Sequence, residues 1–358
     1  GKEVLRNIDI EIAGGRINCL IGPNGAGKTT LFKILSFLDR ASSGEVYFNG
    51  SPSSSLSREE RLNLRRRISL VMQNPFMFNT SIWKNVAYGL KLRRGRNVVE
   101  KVEEALRIVE LSSIKHQSAL TLSSGEAQRV ALARALVLES EVLFLDEPVA
   151  NLDPLSTKII ENLIVKMGKE HKRTVVLATH NLLQARRFAD RVFVLRKGEI
   201  IQRGTAEDVF RHPGSSFSAE FVDVGNLFRG KVIFEQGVQK VDLGKIKIEI
   251  VPQSELCSPG ISVFATIRPE DILLSREPLH SSARNSFWGR ITNMENRGGI
   301  IWVALEPLSE LQESKSELVS PPFFAIITKR SKEEMDLKVG MSVYFTFKAS
   351  CVNVMVAE

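Results

Sequence analysis

Gly22 to Thr29 reads GPNGAGKT and fits the pattern G-x-x-x-x-G-K-[ST]. Glycines at this spacing let the backbone curl until successive N–H groups face phosphate oxygens, and a lysine adds a point charge. The loop comprises Gly22, Pro23, Asn24, Gly25, Ala26, Gly27, Lys28, Thr29 and Thr30, with Lys28 as the cation and the Thr29 hydroxyl suited to Mg²⁺. This is a site for a nucleoside triphosphate. A second element, EVLFLDEP, ends an apolar run on two carboxylates, Asp146 and Glu147. Asp146 is placed to hold Mg²⁺ through water, and Glu147, one residue on, to orient or deprotonate an attacking water.

A third stretch, LSSGEAQRV from Leu122 to Val130, sets Ser123, Ser124, Gly125 and Glu126 before the helical run VALARALVL. Free backbone N–H groups and the helix dipole make such a start an anion cradle. One domain thus carries two phosphate-binding devices about a hundred positions apart.

These groups need rigid elements behind them. GRINCLIG reads as a strand leading through the glycine turn into the helix KTTLFKILSFL; EVLFLDEP and RTVVLATH are further strands followed by helices. Alternation of this kind predicts a parallel sheet covered by helices over 1–212. Apolar positions at 98, 99, 102, 105, 106 and 109 predict an amphipathic helix over 97–111, in a mostly helical insertion from about 76 to 128. RHPGSSFSAE has breaker composition and predicts a linker over 213–224. The β-like runs GKVIF, KIKIEIV, SVFATI, GGIIWVAL, FFAIIT and SVYFTF predict an all-β module over 225–358, as one or two small barrels.

Composition narrows the function classes. The 358 residues exceed one ordinary domain, and 43% hydrophobic with 25% charged residues is ordinary for a globular chain. No apolar run approaches the roughly 18–20 residues of a membrane span, and no signal-peptide pattern precedes the first motif. Cys19, Cys257 and Cys351 are scattered without a CxxC pair, so neither a disulfide nor a cysteine metal site is expected. The net charge of +8 suits nucleotides, oxyanions or an acidic membrane surface, and no Lys/Arg tract points to nucleic acid.

In order, GPNGAGKT, Gln73 in VMQNP, LSSGEAQRV, VLFLDEP, Asp153 in NLD and His180 in LATH resemble an ABC-type ATPase cassette over about 1–212. The resemblance implies that Gln73 contacts Mg²⁺ and the attacking water, that His180 senses the γ-phosphate, and that Glu147 is catalytic. It also implies a homodimer in which the signature loop binds the γ-phosphate held by the other copy's P-loop, with Asp153 beside it. The second cradle is thereby accounted for. Ser124 replaces one of the two usual glycines and Glu126 the usual glutamine; the first keeps its backbone donor, the second adds negative charge near phosphate. The family's adenine-stacking aromatic has no counterpart in residues 1–27 and is expected to fall before Gly1. Phe76, Phe78 and Trp83 are either ordinary subdomain core or, as the resemblance implies, part of a cleft for a helix of a membrane permease.

Farther on, SARNSFWGRI, AIIT and FKAS resemble the oxyanion-binding β-domains of molybdate and tungstate proteins (TOBE/MOP-like). The roles carried over fall on Ser282, Ala283, Arg284, Thr328, Lys348, Ala349 and Ser350. A tetrahedral dianion wants one or two cations and several N–H and O–H donors in fixed array. IRPEDILLS fits the related regulatory β-domains of several importer ATPases.

The expectation is therefore an α/β P-loop cassette with an inserted helical subdomain, followed by an all-β OB/MOP-like domain. Its function would be hydrolysis of ATP with Mg²⁺ to import molybdate or tungstate, with feedback from the second domain. The implied partners are a second copy, transmembrane permease subunits and, through them, a substrate-binding protein. The implied place is the cytoplasmic face of the inner membrane, as a peripheral subunit. Rival readings are an importer ATPase for sugar, polyamine or ferric ion with a structural β-domain, and a soluble ABC ATPase.

Overall fold

The computed structural model describes residues 3–170, 173–222, 224–252, 258–308 and 322–357. Its contacts separate into two compact units, Gly1–Glu207 and Asp208–Glu358.

The first unit is built on a six-stranded sheet. Its strands are β1 (Ile17–Ile21), β4 (Ile68–Val71), β5 (Val142–Asp146), β6 (Thr174–Thr179), β7 (Arg191–Arg196) and β8 (Glu199–Gly204), and a two-stranded ribbon joins β2 (Tyr47–Phe48) to β3 (Ser51–Pro52). The spatial order is β4-β5-β6-β1-β7-β8. All pairings are parallel except the last, β7 with β8. Every residue of β1 is buried, as an inner strand of a parallel sheet requires, and its one polar side chain, Asn18, is satisfied by the Ala13 backbone at 3.0 and 3.1 Å. Leu20, Phe32, Phe144 and Phe193 share one core cluster, in which Phe32 and Phe144 meet edge to face.

Helix α1 (Lys28–Leu35) stops short of the predicted eleven residues because Phe37 turns left-handed at φ 58°. Helix α2 (Arg58–Arg66) opens on a capping box between Ser57 and Glu60. The inserted segment holds α3 (Ile82–Leu92) and α4 (Val98–Ile108), and α4 buries Val102, Ala105 and Leu106 while leaving Val99 exposed. It is shorter than its apolar stripe because Asn97 and Glu110 both take left-handed backbones. Helices α5 (Ser124–Leu136), α6 (Pro154–Val165) and α7 (Leu182–Phe188) complete the layers; α8 (Ala206–Arg211) spans the division, and α9 (Ser216–Phe221) opens the second unit.

The second unit contains two five-stranded antiparallel sheets, in the orders β11-β10-β9-β12-β18 and β13-β17-β14-β15-β16. The first draws on β9 (Asn226–Glu235), β10 (Val238–Asp242), β11 (Lys247–Glu249), β12 (Ser262–Ile267) and β18 (Asn353–Val356). The second draws on β13 (Leu273–Ser275), β14 (Asn285–Arg297), β15 (Ile300–Pro307), β16 (Phe323–Thr328), followed by the short α10 (Lys329–Glu334), and β17 (Ser342–Phe347). The two sheets are copies of one plan. NLFRGKV at the start of β9 matches NSFWGRI at the start of β14, and SVFATIRPEDI matches SVYFTFKASCV. Registers agree residue for residue: Asn226 pairs with Ile267 as Asn285 pairs with Phe347, and Gly230 pairs with Val263 as Gly289 pairs with Val343. The last strands are exchanged, β18 closing the first sheet against β12 and β13 closing the second against β17.

Two buried asparagines tie the repeats together. The Asn226 amide donates to the Phe324 carbonyl at 2.9 Å and accepts from the Phe324 N–H at 2.6 Å. The Asn285 amide does the same to Glu249, at 2.9 and 2.7 Å. Each side chain imitates a strand neighbour and satisfies buried backbone groups. Phe228, Phe323, Phe345 and Phe347 fill a common core beneath them.

Candidate functional site

The loop from Gly22 to Gly27 joins the buried β1 to α1, with Gly25 and Gly27 left-handed at φ 78° and 109°. A helix start with free N–H groups is thus held in place by the sheet. Lys28 is buried and folds back on this loop, donating to the carbonyls of Gly22 at 2.8 Å and Pro23 at 3.2 Å. Backbone carbonyls are weak partners for a buried ammonium, so the charge stays available to phosphate.

The tip of β5 brings Asp146 and Glu147 to the same place. Asp146 accepts from the Thr29 hydroxyl at 2.6 Å. Burial pushes its carboxyl above the ordinary aspartate range, and the Thr29 bond opposes that shift. Glu147 has a left-handed backbone at φ 48°, a conformation that costs a glutamate roughly 1–3 kcal/mol and persists where its surroundings impose it. One carboxylate oxygen lies 2.8 Å from His180 Nδ1, and the other 3.4 Å from Lys28 Nζ. That second oxygen is buried within ion-pair distance of Lys28 yet has no aligned hydrogen bond, so it can receive a water proton.

Among the described residues, no group of three His, Cys, Asp or Glu is arranged to hold a metal. The donors that suit Mg²⁺ are the Thr29 hydroxyl and the Asp146 carboxylate, an all-oxygen pair of the kind that holds Mg²⁺ together with phosphate and water. The residues therefore fit a Mg²⁺–nucleotide complex. Gln73 is exposed two residues beyond β4, the strand beside β5, and its side chain forms no hydrogen bond to these groups. His180 follows β6 directly.

The signature loop stands apart from this cluster within one chain. Ser123 caps α5, accepting from the Glu126 N–H at 3.3 Å, while the Glu126 carboxylate accepts from the Ser123 N–H at 2.8 Å and its hydroxyl at 2.9 Å. Glu126 thus covers part of the cradle that Ser123, Ser124 and Gly125 form. A Cβ on Gly125 would fall 2.4 Å from Ser156 Oγ, so α5 and the first turn of α6 touch backbone to side chain. Asp153 caps α6 through the Ser156 N–H at 2.9 Å, which holds its carboxyl below the usual range.

Arg134, unmarked in the sequence reading, joins α5 to the aromatic loop after Gln73. Its guanidinium donates to the Phe76 carbonyl at 2.6 Å and to the Asn85 side chain, and lies 5.2 Å from the Phe78 ring centre. Phe76 is 73% exposed and stacks edge to face on Phe78, whereas Trp83 is half-buried and donates to Glu103 at 3.1 Å. An arginine late in an alanine-rich helix was the available signal.

In the second unit, Ser282, Ala283 and Arg284 lead into β14, and Lys348, Ala349 and Ser350 lead out of β17. Because Asn285 pairs with Phe347, Arg284 and Lys348 occupy adjacent positions just beyond that pair. Both are exposed, and neither forms an ion pair among the described residues. Thr328 is elsewhere: it pairs with Ile300, which pairs with Arg297 at the opposite end of the 13-residue β14. Its hydroxyl caps α10 through the Ser331 N–H at 3.1 Å. Cys19 is buried and Cys351 half-buried; Cys257 lies outside the described residues.

Known proteins share both halves of this arrangement. Residues 5–150 match the family model described as ABC transporter, and residues 281–354 match that of the TOBE domain. The molybdate/tungstate import ATP-binding protein WtpC of Pyrococcus abyssi is 31% identical over 98% of this chain and 95% of its own. The spermidine/putrescine import ATP-binding protein PotA of Trichormus variabilis is 33% identical over 82% of this chain and 77% of its own. Among solved structures, the dimeric post-hydrolysis state of the ATP-binding cassette MJ0796 bound to ADP and Pi superposes with a TM-score of 0.54 at 30% identity, covering 57% of this chain and 93% of that one.

Proposed function

As the chain belongs to the ATP-binding subunits of ABC importers, in which ATP hydrolysis drives transport, we propose that its cargo is a tetrahedral oxyanion, molybdate or tungstate. The observation that carries this reading is the adjacent pair Arg284 and Lys348 beyond the Asn285–Phe347 register. Two exposed cations side by side, with the hydroxyls of Ser282 and Ser350 and the backbone N–H groups of Ala283 and Ala349 nearby in sequence, match a dianion in charge and in donors. The relatives divide among oxyanion, polyamine and ferric-ion cargo, and this pair would repel both the polyamine and the ferric ion.

In the cassette, Lys28 and the loop N–H groups bind the β- and γ-phosphates, and Thr29 and Asp146, with Gln73, would hold Mg²⁺. The bound ion would neutralise charge that develops on the transferring phosphoryl group. Glu147 accepts the proton of the attacking water, and His180 holds one of its oxygens in place. Two copies pair so that Ser123, Ser124, Gly125 and Glu126 of one face the γ-phosphate on the other, with Asp153 alongside. The exposed Phe76 and its loop receive a membrane permease, itself served by a substrate-binding protein. No described helix is long and apolar enough to cross a membrane, which fits a peripheral subunit on the cytoplasmic face.

Calorimetric titration of the full chain with tungstate, molybdate and spermidine tests the cargo. Uptake of either anion, weakened about tenfold or more in Arg284→Ala as for a lost charged partner, is expected, with no heat from spermidine. Spermidine binding, or silence with both anions, would turn the assignment toward a structural β-domain.

A further inference from the structure

We propose that the first repeat of the β-unit once matched the oxyanion seat of the second, and that its place is now filled by the chain itself. The Phe210 carbonyl sits on Arg268, so each chain offers one oxyanion seat. The inference rests on the oxyanion reading above for the second repeat, but its own evidence lies in the first.

The register fixes the correspondence. Since Asn226 and Asn285 are equivalent, Gly225 stands where the second repeat has Arg284. Since Ile267 and Phe347 are equivalent, Arg268, Pro269 and Glu270 stand where it has Lys348, Ala349 and Ser350. At the first of these positions no cation can be restored. Gly225 has φ 83°, and a Cβ there would meet Pro269 Cγ at 2.4 Å. At the last, a hydroxyl donor has become an acid, and the Glu270 carboxylate lies 3.2 Å from Arg268 Nη1. Two cations with hydroxyls in the second repeat thus face one cation and one anion in the first, a sum of zero that leaves a dianion uncompensated.

Arg268 has found another acceptor. Its second terminal nitrogen donates to the carbonyl of Phe210, near the end of α8. Carbonyls in the last turn of a helix lack intrahelical partners and carry partial negative charge, so this oxygen presents to the guanidinium a weaker version of an oxyanion edge. A second tie holds the same segment: Asn353 Nδ2 donates to the Pro213 carbonyl at 3.1 Å. Asn353 opens the exchanged strand β18, so residues 208–213 are fastened at two points to the first sheet.

Two measurements on the full chain decide the matter. Tungstate titration is expected to show one anion per chain in the parent and in Arg268→Ala, with affinity weakened about tenfold or more in Arg284→Ala. Hydrogen exchange is expected to quicken about tenfold at the 208–212 amides in Arg268→Ala, as for a released segment, with β14 and β17 unchanged. Arg268→Lys, which keeps the charge, guards against a folding defect and should restore most of the protection. Two anions per chain, loss of an anion in Arg268→Ala, or unaltered exchange would overturn the proposal. If the parent takes up no tungstate, the cargo reading fails by itself, and the exchange data alone decide whether the segment occupies this seat.

Discussion

Glu147 and His180 meet at 2.8 Å, carboxylate oxygen to Nδ1, at the ends of the neighbouring strands β5 and β6. The contact fixes one carboxylate oxygen and leaves the other, buried beside Lys28, without a hydrogen bond. Glu147→Gln keeps the shape and removes the proton acceptor. Turnover should fall by about 10²-fold or more while ATP binding persists, and ATP should then accumulate a dimer visible by light scattering. Phosphate release at the parent rate would remove Glu147 from the chemistry.

Asp146 carries a cost in the nucleotide-free chain. Burial raises its pKa, so its folded-state contribution is most favourable below the ordinary aspartate range and is lost as pH rises through the raised value. At neutral pH, Asp146→Asn should therefore raise the thermal midpoint of the nucleotide-free chain, by about 2–4 °C for each 1 kcal/mol relieved. The gain should shrink toward pH 4, and the variant should lose the stabilisation that Mg²⁺ and ATP give the parent. A lower midpoint at pH 7 would mean that the Thr29 bond outweighs the burial.

The approach of Gly125 to Ser156 leaves no room for a methyl group. Gly125→Ala would set its Cβ 2.4 Å from Ser156 Oγ and 2.8 Å from Ser156 Cβ. A loss of about 1–3 kcal/mol is expected, the usual cost of overpacking. Ser156→Gly removes both obstacles and should recover part of it in the double variant. Additive losses in urea denaturation would show that the two positions do not share the clash.

The matched bridges make a paired forecast. Asn226→Ala and Asn285→Ala each strand a backbone N–H and C=O in the core of the β-unit. Each should cost about 1–3 kcal/mol per unsatisfied group, with similar effects at both sites. A large loss at one position and none at the other would contradict the equivalence of the repeats.

The nucleotide site was legible in the sequence because its parts are local. GPNGAGKT and VLFLDEP each declare a strand end and its turn within eight residues, and the sheet only has to bring the two tips together. The duplication was hidden for the opposite reason. Asn226 and Asn285 show their equivalence through partners on β16 and β11, which local patterning does not reveal. β10 escaped notice because VQKVD alternates weakly, and β13 and β18 because strands this short acquire meaning only through exchange. The start of helix α2 is marked in the sequence by Ser57 and Glu60 at the spacing of a capping box. Thr328 was grouped with Arg284 and Lys348 by motif order, which carries no information about which end of a strand a residue occupies.

The exchanged strands also govern the order in which the β-unit can be built during synthesis. β12 leaves the ribosome with one edge bare, and the strand that covers it begins at Asn353, 87 positions after Thr266. Until then the first sheet exposes a row of unpaired N–H and C=O groups, an invitation to pair with another nascent chain. Neither repeat can finish alone, so the unit should close late and in one step, and a ribosome stalled within the second repeat would release an adhesive product rather than a half-module.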